Sequence, residues 1–193
     1  MSKKLGFLLV GFLMFLTVFS AMGESGFMYP QWIWYPEESD MPSQNAPAEP
    51  RYFMKIFDIA DTAGVKSADL EVTADDAYKL YVNGENIGEG SSWKIATKYN
   101  LMDYLKKGKN VIALEVVNGG GPAGLIIAGK VILKTGKTIN LLTNETWKAS
   151  METTNNWLTG KMDDTWLNSV ELGEFGCAPW GEDIESEMLR EME

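Results

Sequence analysis

Tyr78, Leu80 and Val82 alternate with Lys79 and Tyr81, and Asn83-Gly84 follows at once. This short stretch limits the fold more sharply than any other. A period of two puts the first three side chains on one face of a strand. The dipeptide supplies the two positive-φ residues that a tight hairpin turn needs. The return strand is expected at about 87–89. Residues 52–59 are aromatic and β-branched, and 68–73 alternate at period two. Further strands are expected at 110–117, 124–133, 138–142, 147–149 and 166–172. Turn signals return every ~8–12 residues, the spacing of a sandwich or barrel. One short helix is predicted, capped by Asn100, striped by Leu101, Tyr104 and Leu105, and ended by Gly108. In the tail, Ile184, Met188 and Met192 stand at i, i+4, i+8. That spacing favours a short amphipathic helix, marginal alone, over a frayed acidic end.

The N-terminal part has a different texture. Lys3 and Lys4 precede an uncharged apolar run, 5–19, and Ala21-Met22-Gly23 places small residues for cleavage before Glu24. This is a secretory signal pattern, and the run is short for a membrane span. A secreted or periplasmic protein is expected, the alternative being an uncleaved anchor. No cysteine follows the run, which disfavours a lipid anchor. Residues 24–50 hold Pro30, Pro36, Pro42, Pro47 and Pro50, which argue against a regular helix or a central strand. Within them, Trp32-Ile33-Trp34-Tyr35 reads as a short strand or a plug on the core. The expected organisation is therefore a signal peptide at 1–23, an arm at 24–50, a β-sandwich at 51–181 and an acidic tail at 182–193.

Charge and composition exclude several functions. The 193 residues carry 17 basic and 27 acidic side chains. Removing 1–23 takes two lysines and no acid, leaving 15 bases against 27 acids, a charge of −12. Nucleic acid and anionic lipid both demand a basic face, so neither is an expected partner, and no membrane span remains after cleavage. No histidine is present. That removes Ser-His-Asp and Cys-His catalysis and imidazole metal ligands. The one cysteine, Cys177, excludes an internal disulfide framework. It reads as a buried, inert thiol, or less readily as half of an intermolecular bridge.

Ala74-Asp75-Asp76-Ala77-Tyr78-Lys79-Leu80-Tyr81-Val82-Asn83-Gly84 resembles the ADD-x-Y-x-LYVNG hairpin of galactose-binding-domain-like jelly rolls. Such modules occur as accessory sugar-binding-like domains of bacterial α-L-rhamnosidases and β-galactosidase-type glycoside hydrolases. The likeness continues through Gly88, Gly90 and Trp93, then Tyr99-Asn100-Leu101, 105–108 and 110–113. Asn118 with Gly121-Pro122-Ala123-Gly124-Leu125 resembles the family's N-x-x-GPAGL turn. Trp147, Leu172-Gly173 and Ala178-Pro179-Trp180-Gly181 complete it. The resemblance implies an all-β fold, a single jelly-roll β-sandwich of about eight to ten strands with one or two short helices. Only twelve residues follow Gly181, so a free-standing module is expected. Acidic jelly rolls of this kind also imply a structural calcium, although no EF-hand-type loop is present; no other cofactor is expected.

The candidate ligand residues are Asp76, Tyr78, Trp93, Asn118 and Trp157. A pyranose stacks its apolar face on an indole while fixed polar groups read its hydroxyls. If 78–82 and 86–90 form the hairpin, Trp93 emerges at the end that holds Asp75 and Asp76. Asp75 is a weak metal candidate, and its plainer role is to close the turn on backbone N–H groups. Trp93 serves equally as a lid on the core. Trp157 lies in a polar, Gly-ended loop and is a second candidate plate. Asn118-Gly119-Gly120-Gly121-Pro122 lacks the Lys-Ser/Thr of a phosphate loop, so it reads as a tight turn with an amide aimed at the ligand edge. Asn144-Glu145-Thr146 matches a glycosylation acceptor.

The expected function is an exported, non-catalytic carbohydrate-binding-like module acting on a glycan or glycosylated surface. The alternatives are a structural or protein-interaction module, packing on a partner or on copies of itself, with no sugar site, and a small glycoside-active enzyme. With 27 acids, some carboxylate pair falls at glycosidase spacing by chance.

Overall fold

A computed structural model describes residues 29–38, 42–187 and 189–190. The signal-like segment 1–23 lies outside the described residues. Twelve strands form two antiparallel sheets. They are β1 (Gln31–Trp34), β2 (Pro50–Ile59), β3 (Val65–Asp75), β4 (Ala77–Val82), β5 (Glu85–Gly90), β6 (Thr97–Asn100), β7 (Gly108–Val117), β8 (Gly124–Leu133), β9 (Thr138–Asn140), β10 (Lys148–Ser150), β11 (Leu167–Asn168) and β12 (Val170–Glu174). The first sheet runs β12-β1-β8-β3-β6, with β9 beside β8. The second runs β11-β10-β2-β7-β4-β5. Among the described residues no helix is long and apolar enough to cross a membrane.

Alternation decides which side chains meet between the sheets. Phe53, Leu114 and Leu80 lie opposite one another on β2, β7 and β4. They face Leu70, Val72, Leu125 and Ile127 of the first sheet in one fully buried cluster. The hairpin forms as its dipeptide predicts, with Asn83 at φ 51° and Gly84 at φ 96°. Asn83 also ties the turn to its neighbours. Its Nδ2 donates to the Tyr104 carbonyl at 2.8 Å, and its Oδ1 accepts from the Val111 N–H at 3.0 Å.

Three sequence expectations change. First, the arm contains a central strand, because β1 lies between β12 and β8. Pro30 and Pro36 flank it, so all four of its residues keep their N–H groups. Second, 100–108 holds only a 3-10 turn, Met102–Tyr104. The Asn100 side chain does accept from the Met102 N–H at 2.9 Å, but Leu105 is already extended. So short a segment cannot meet the cost of helix nucleation. Third, the described part of the tail is an extended strap. Glu185 bridges Ile95 in parallel, and Ile184 and Leu189 are buried at a spacing of five. Met188 and Met192 lie outside the described residues.

The strap covers the outer face of the first sheet. There Trp180 stacks on Trp32 at 4.0 Å, over Ile126, Ala128 and Leu142. The arm is fastened to β2 by an ion pair. The Arg51 Nε donates to Glu37 at 2.7 Å, and both side chains are buried. Removing one partner of such a pair costs about 3–5 kcal/mol. Cys177 is free and half-buried, and burial pushes its thiol pKa up.

Candidate functional site

The turn between the sheets sets out the site. β3 ends on Asp75 and β4 starts at Ala77, and the Asp75–Asp76 peptide is cis. The two carboxylates stay within reach of each other there but take different partners. Asp75 turns inward and accepts from the Trp180 indole N–H at 2.9 Å. Burial pushes its pKa up to about 6, with the Trp180 bond opposing and Asp76 adding to the rise. Asp76 is exposed and accepts from the Gly119 N–H at 2.7 Å. A side chain at position 119 would press on Asp76 Oδ2 at 2.9 Å, so glycine permits this approach.

The other candidates point elsewhere. Tyr78 is buried in the core between the sheets, its hydroxyl 3.2 Å from the Val72 carbonyl and 2.9 Å from the Tyr99 hydroxyl. An alternating strand allows nothing else, because Leu80 and Val82 share its face. Asn118 is also buried. Its amide donates to the Ala46 and Pro47 carbonyls at 3.0 Å each, which pins the arm to the turn. Trp93 packs on the outer cluster of the first sheet, with the Lys94 ammonium 5.3 Å from its ring centre. Trp157 sits on the outer face of the second sheet, 5.3 Å from Tyr52 and 6.0 Å from Trp166. The five residues therefore form no single site: Asp76 stands on the turn, two lie inside, and the tryptophans occupy opposite outer faces.

From Ala77 onward the structure opens a groove of about 470 Å³ between β4, β5 and β7. Its polar lining is Lys79, Glu89, Ser91 and Glu115, its apolar lining is Ala77 and Val117, and the candidate Tyr78 also borders it. Lys79 pairs in register with Glu89 on one side and Glu115 on the other. Among the described residues no ion pair joins Lys79 to either glutamate. Tyr52 adjoins Glu115 on β2. Its phenol pKa is raised first by burial and then by Glu115, while Lys79 pulls it down. Sequence reading placed Lys79 on the outward face but missed the glutamates. They become partners only once three strands are in register.

A metal has little purchase here. Among the described residues no group of three or more His, Cys, Asp or Glu side chains could hold an ion. Asp75, the calcium candidate, already serves an indole N–H.

No protein-family model and no curated protein matches the sequence. Solved structures do. A lectin of Pleurotus ostreatus superposes with a TM-score of 0.73 and 32% identity over 82% of this chain and 46% of its own. The structure of a P. ostreatus lectin in complex with GalNAc gives 0.71 and 30%, again over 82% and 46%. An α-L-rhamnosidase of Streptomyces avermitilis, complexed with L-rhamnose, gives 0.72 and 26% over 80% of this chain and 16% of its own. The chain thus spans less than half of the lectin and about a sixth of the rhamnosidase. By fold it is an all-β sandwich, and by these likenesses it resembles a galactose-binding-domain-like jelly roll and parts of α-L-rhamnosidases and the Pleurotus lectin.

Proposed function

We propose that the protein is an exported, non-catalytic carbohydrate-binding module whose ligand sits in the groove between β4, β5 and β7. The observation that carries the reading is the open Glu89, Lys79 and Glu115 set, on a chain similar to a lectin. Carboxylates accept from sugar hydroxyls and an ammonium donates to them. Ala77 and Val117 offer the ring an apolar wall. The groove is open to water, so affinity is modest.

The likeness to a lectin favours binding without turnover. Glu89 and Glu115 flank Lys79 in register on neighbouring strands. The absence of histidine removes the usual base near neutral pH. Export rests on the signal pattern at 1–23, and N-terminal sequencing of the extracytoplasmic form should begin at Glu24.

A glycan array probed with the chain from Glu24 onward, and with its Lys79→Ala variant, tests the reading. Neutral glycans should bind, and the variant should bind about tenfold more weakly. Unchanged binding would put the sugar elsewhere. An empty array would favour the interaction module. Release of phenol from aryl glycosides would overturn the non-catalytic reading.

A further inference from the structure

The groove is one part of a longer row. Strands β2, β7, β4 and β5 lie side by side. Their register sets Tyr52 opposite Glu115, Glu115 opposite Lys79, and Lys79 opposite Glu89. The first three project outward, because their neighbours Phe53, Leu114 and Leu80 point into the core. Glu89 lines the groove with Lys79 and Glu115. At a strand spacing of ~4.8 Å, the row crosses the sheet over about 14 Å. Its far end is Tyr52, which meets the Trp157 ring edge-on at 5.3 Å, and Tyr81, two residues from Lys79 on β4, lies 6.1 Å from the same indole.

We propose that this row holds a short, linear, neutral oligosaccharide lying across the strands, rather than one terminal ring. The proposal rests on the sugar-binding reading above and narrows its ligand. A single ring covers only part of so long a row. A chain gives successive rings successive partners, with glutamate and lysine for hydroxyls and Tyr52 for an apolar ring face. The charge sets the class. Two carboxylates against one ammonium repel uronic and sialic acids and accept uncharged hydroxyls. The Trp157 loop flanks the row along one side, because Trp157 stands against both Tyr52 on β2 and Tyr81 on β4.

The test is an array of neutral mono- to tetrasaccharides with matched acidic counterparts, followed by calorimetry on the strongest series. Affinity should rise with length, with trisaccharides about tenfold tighter than their monosaccharides. Tyr52→Ala should shrink that ratio toward one. Tyr52 is half-buried, so Glu89→Gln on the exposed edge strand is the second variant, with the same expected outcome. Equal affinity for one ring and several overturns the row and leaves a single-ring groove. Preference for acidic chains overturns the charge argument. Silence across the whole array overturns both this inference and the reading on which it rests.

Discussion

The two sheets present opposite outer faces. The first is closed by the chain's own tail. Trp32, Ile126, Ala128 and Leu142 lie under Trp180, Ile184 and Leu189, all almost fully buried. The Glu71 carboxylate there accepts from the Ser186 hydroxyl and from the Glu187 N–H, while the buried Trp32 indole N–H has no hydrogen-bond partner. The second face is only half closed. Trp157, Leu158 and Trp166 cover Met54, Ile56, Val111 and Ala113, and the cover stops at the row of Lys79, Glu89 and Glu115. Apolar surface is costly to leave in water, whereas charge is costly to remove from it. One face must therefore be covered for the protein to be stable. The other can stay open, and an open face is what a ligand needs.

Substitutions should break this contrast in proportion to what they uncover. Trp180→Ala removes the stacked partner of Trp32 and the donor to Asp75, and should cost about 4 kcal/mol in urea unfolding. A loss below about 1 kcal/mol would mean that the tail does not hold the first face. Ile184→Ala should cost about 3 kcal/mol by the same measurement.

Asp75 gives a subtler break. Its pKa is raised to about 6 in the folded chain against an ordinary 3.8. Between about pH 4 and pH 6 the folded chain therefore keeps a proton that the unfolded chain has released. Its contribution to stability is full below about pH 4 and falls as pH rises to about 6, by on the order of 2 kcal/mol. Asp75→Asn keeps an acceptor for Trp180 and abolishes the titration. Its stability profile should be flatter than that of the unchanged protein across this window, and parallel profiles would refute the assignment.

The smallest expected effect lies on the open face. Glu115→Gln should change stability by no more than about 0.5 kcal/mol. If it unfolds the protein instead, the row is structural and the contrast between the faces fails.

The sequence made the sandwich legible because its turns name themselves. Asn83-Gly84 and the alternation before it identify the hairpin, and 124–133 is the observed β8 to the residue. Strand β6 escaped notice because its Thr97–Asn100 segment has alternating exposure without a strongly apolar face. The tail misled for a physical reason. Its apolar residues fit a helical period, yet Glu185 gains its partner on Ile95, ninety residues away, which no local pattern reveals. The site was legible only in part. Tyr78 borders the groove and Asp76 adjoins it only in sequence, and the fold spends the polar chemistry of Tyr78 and Asn118 on its own backbone. Lys79, Glu89 and Glu115 are unremarkable as letters and acquire meaning only from register.

The position of β1 has a consequence for how the protein comes into being. Its partners are β8 and β12, so Gln31 pairs with Glu174, at nearly the other end of the described chain. A ribosome delivers the first of these residues long before the last. The first sheet cannot close while its final strand is still being made, and Trp32 waits longer still for Trp180. Closure of this half therefore follows the order of synthesis, with its first strand made early and held back for its last partner.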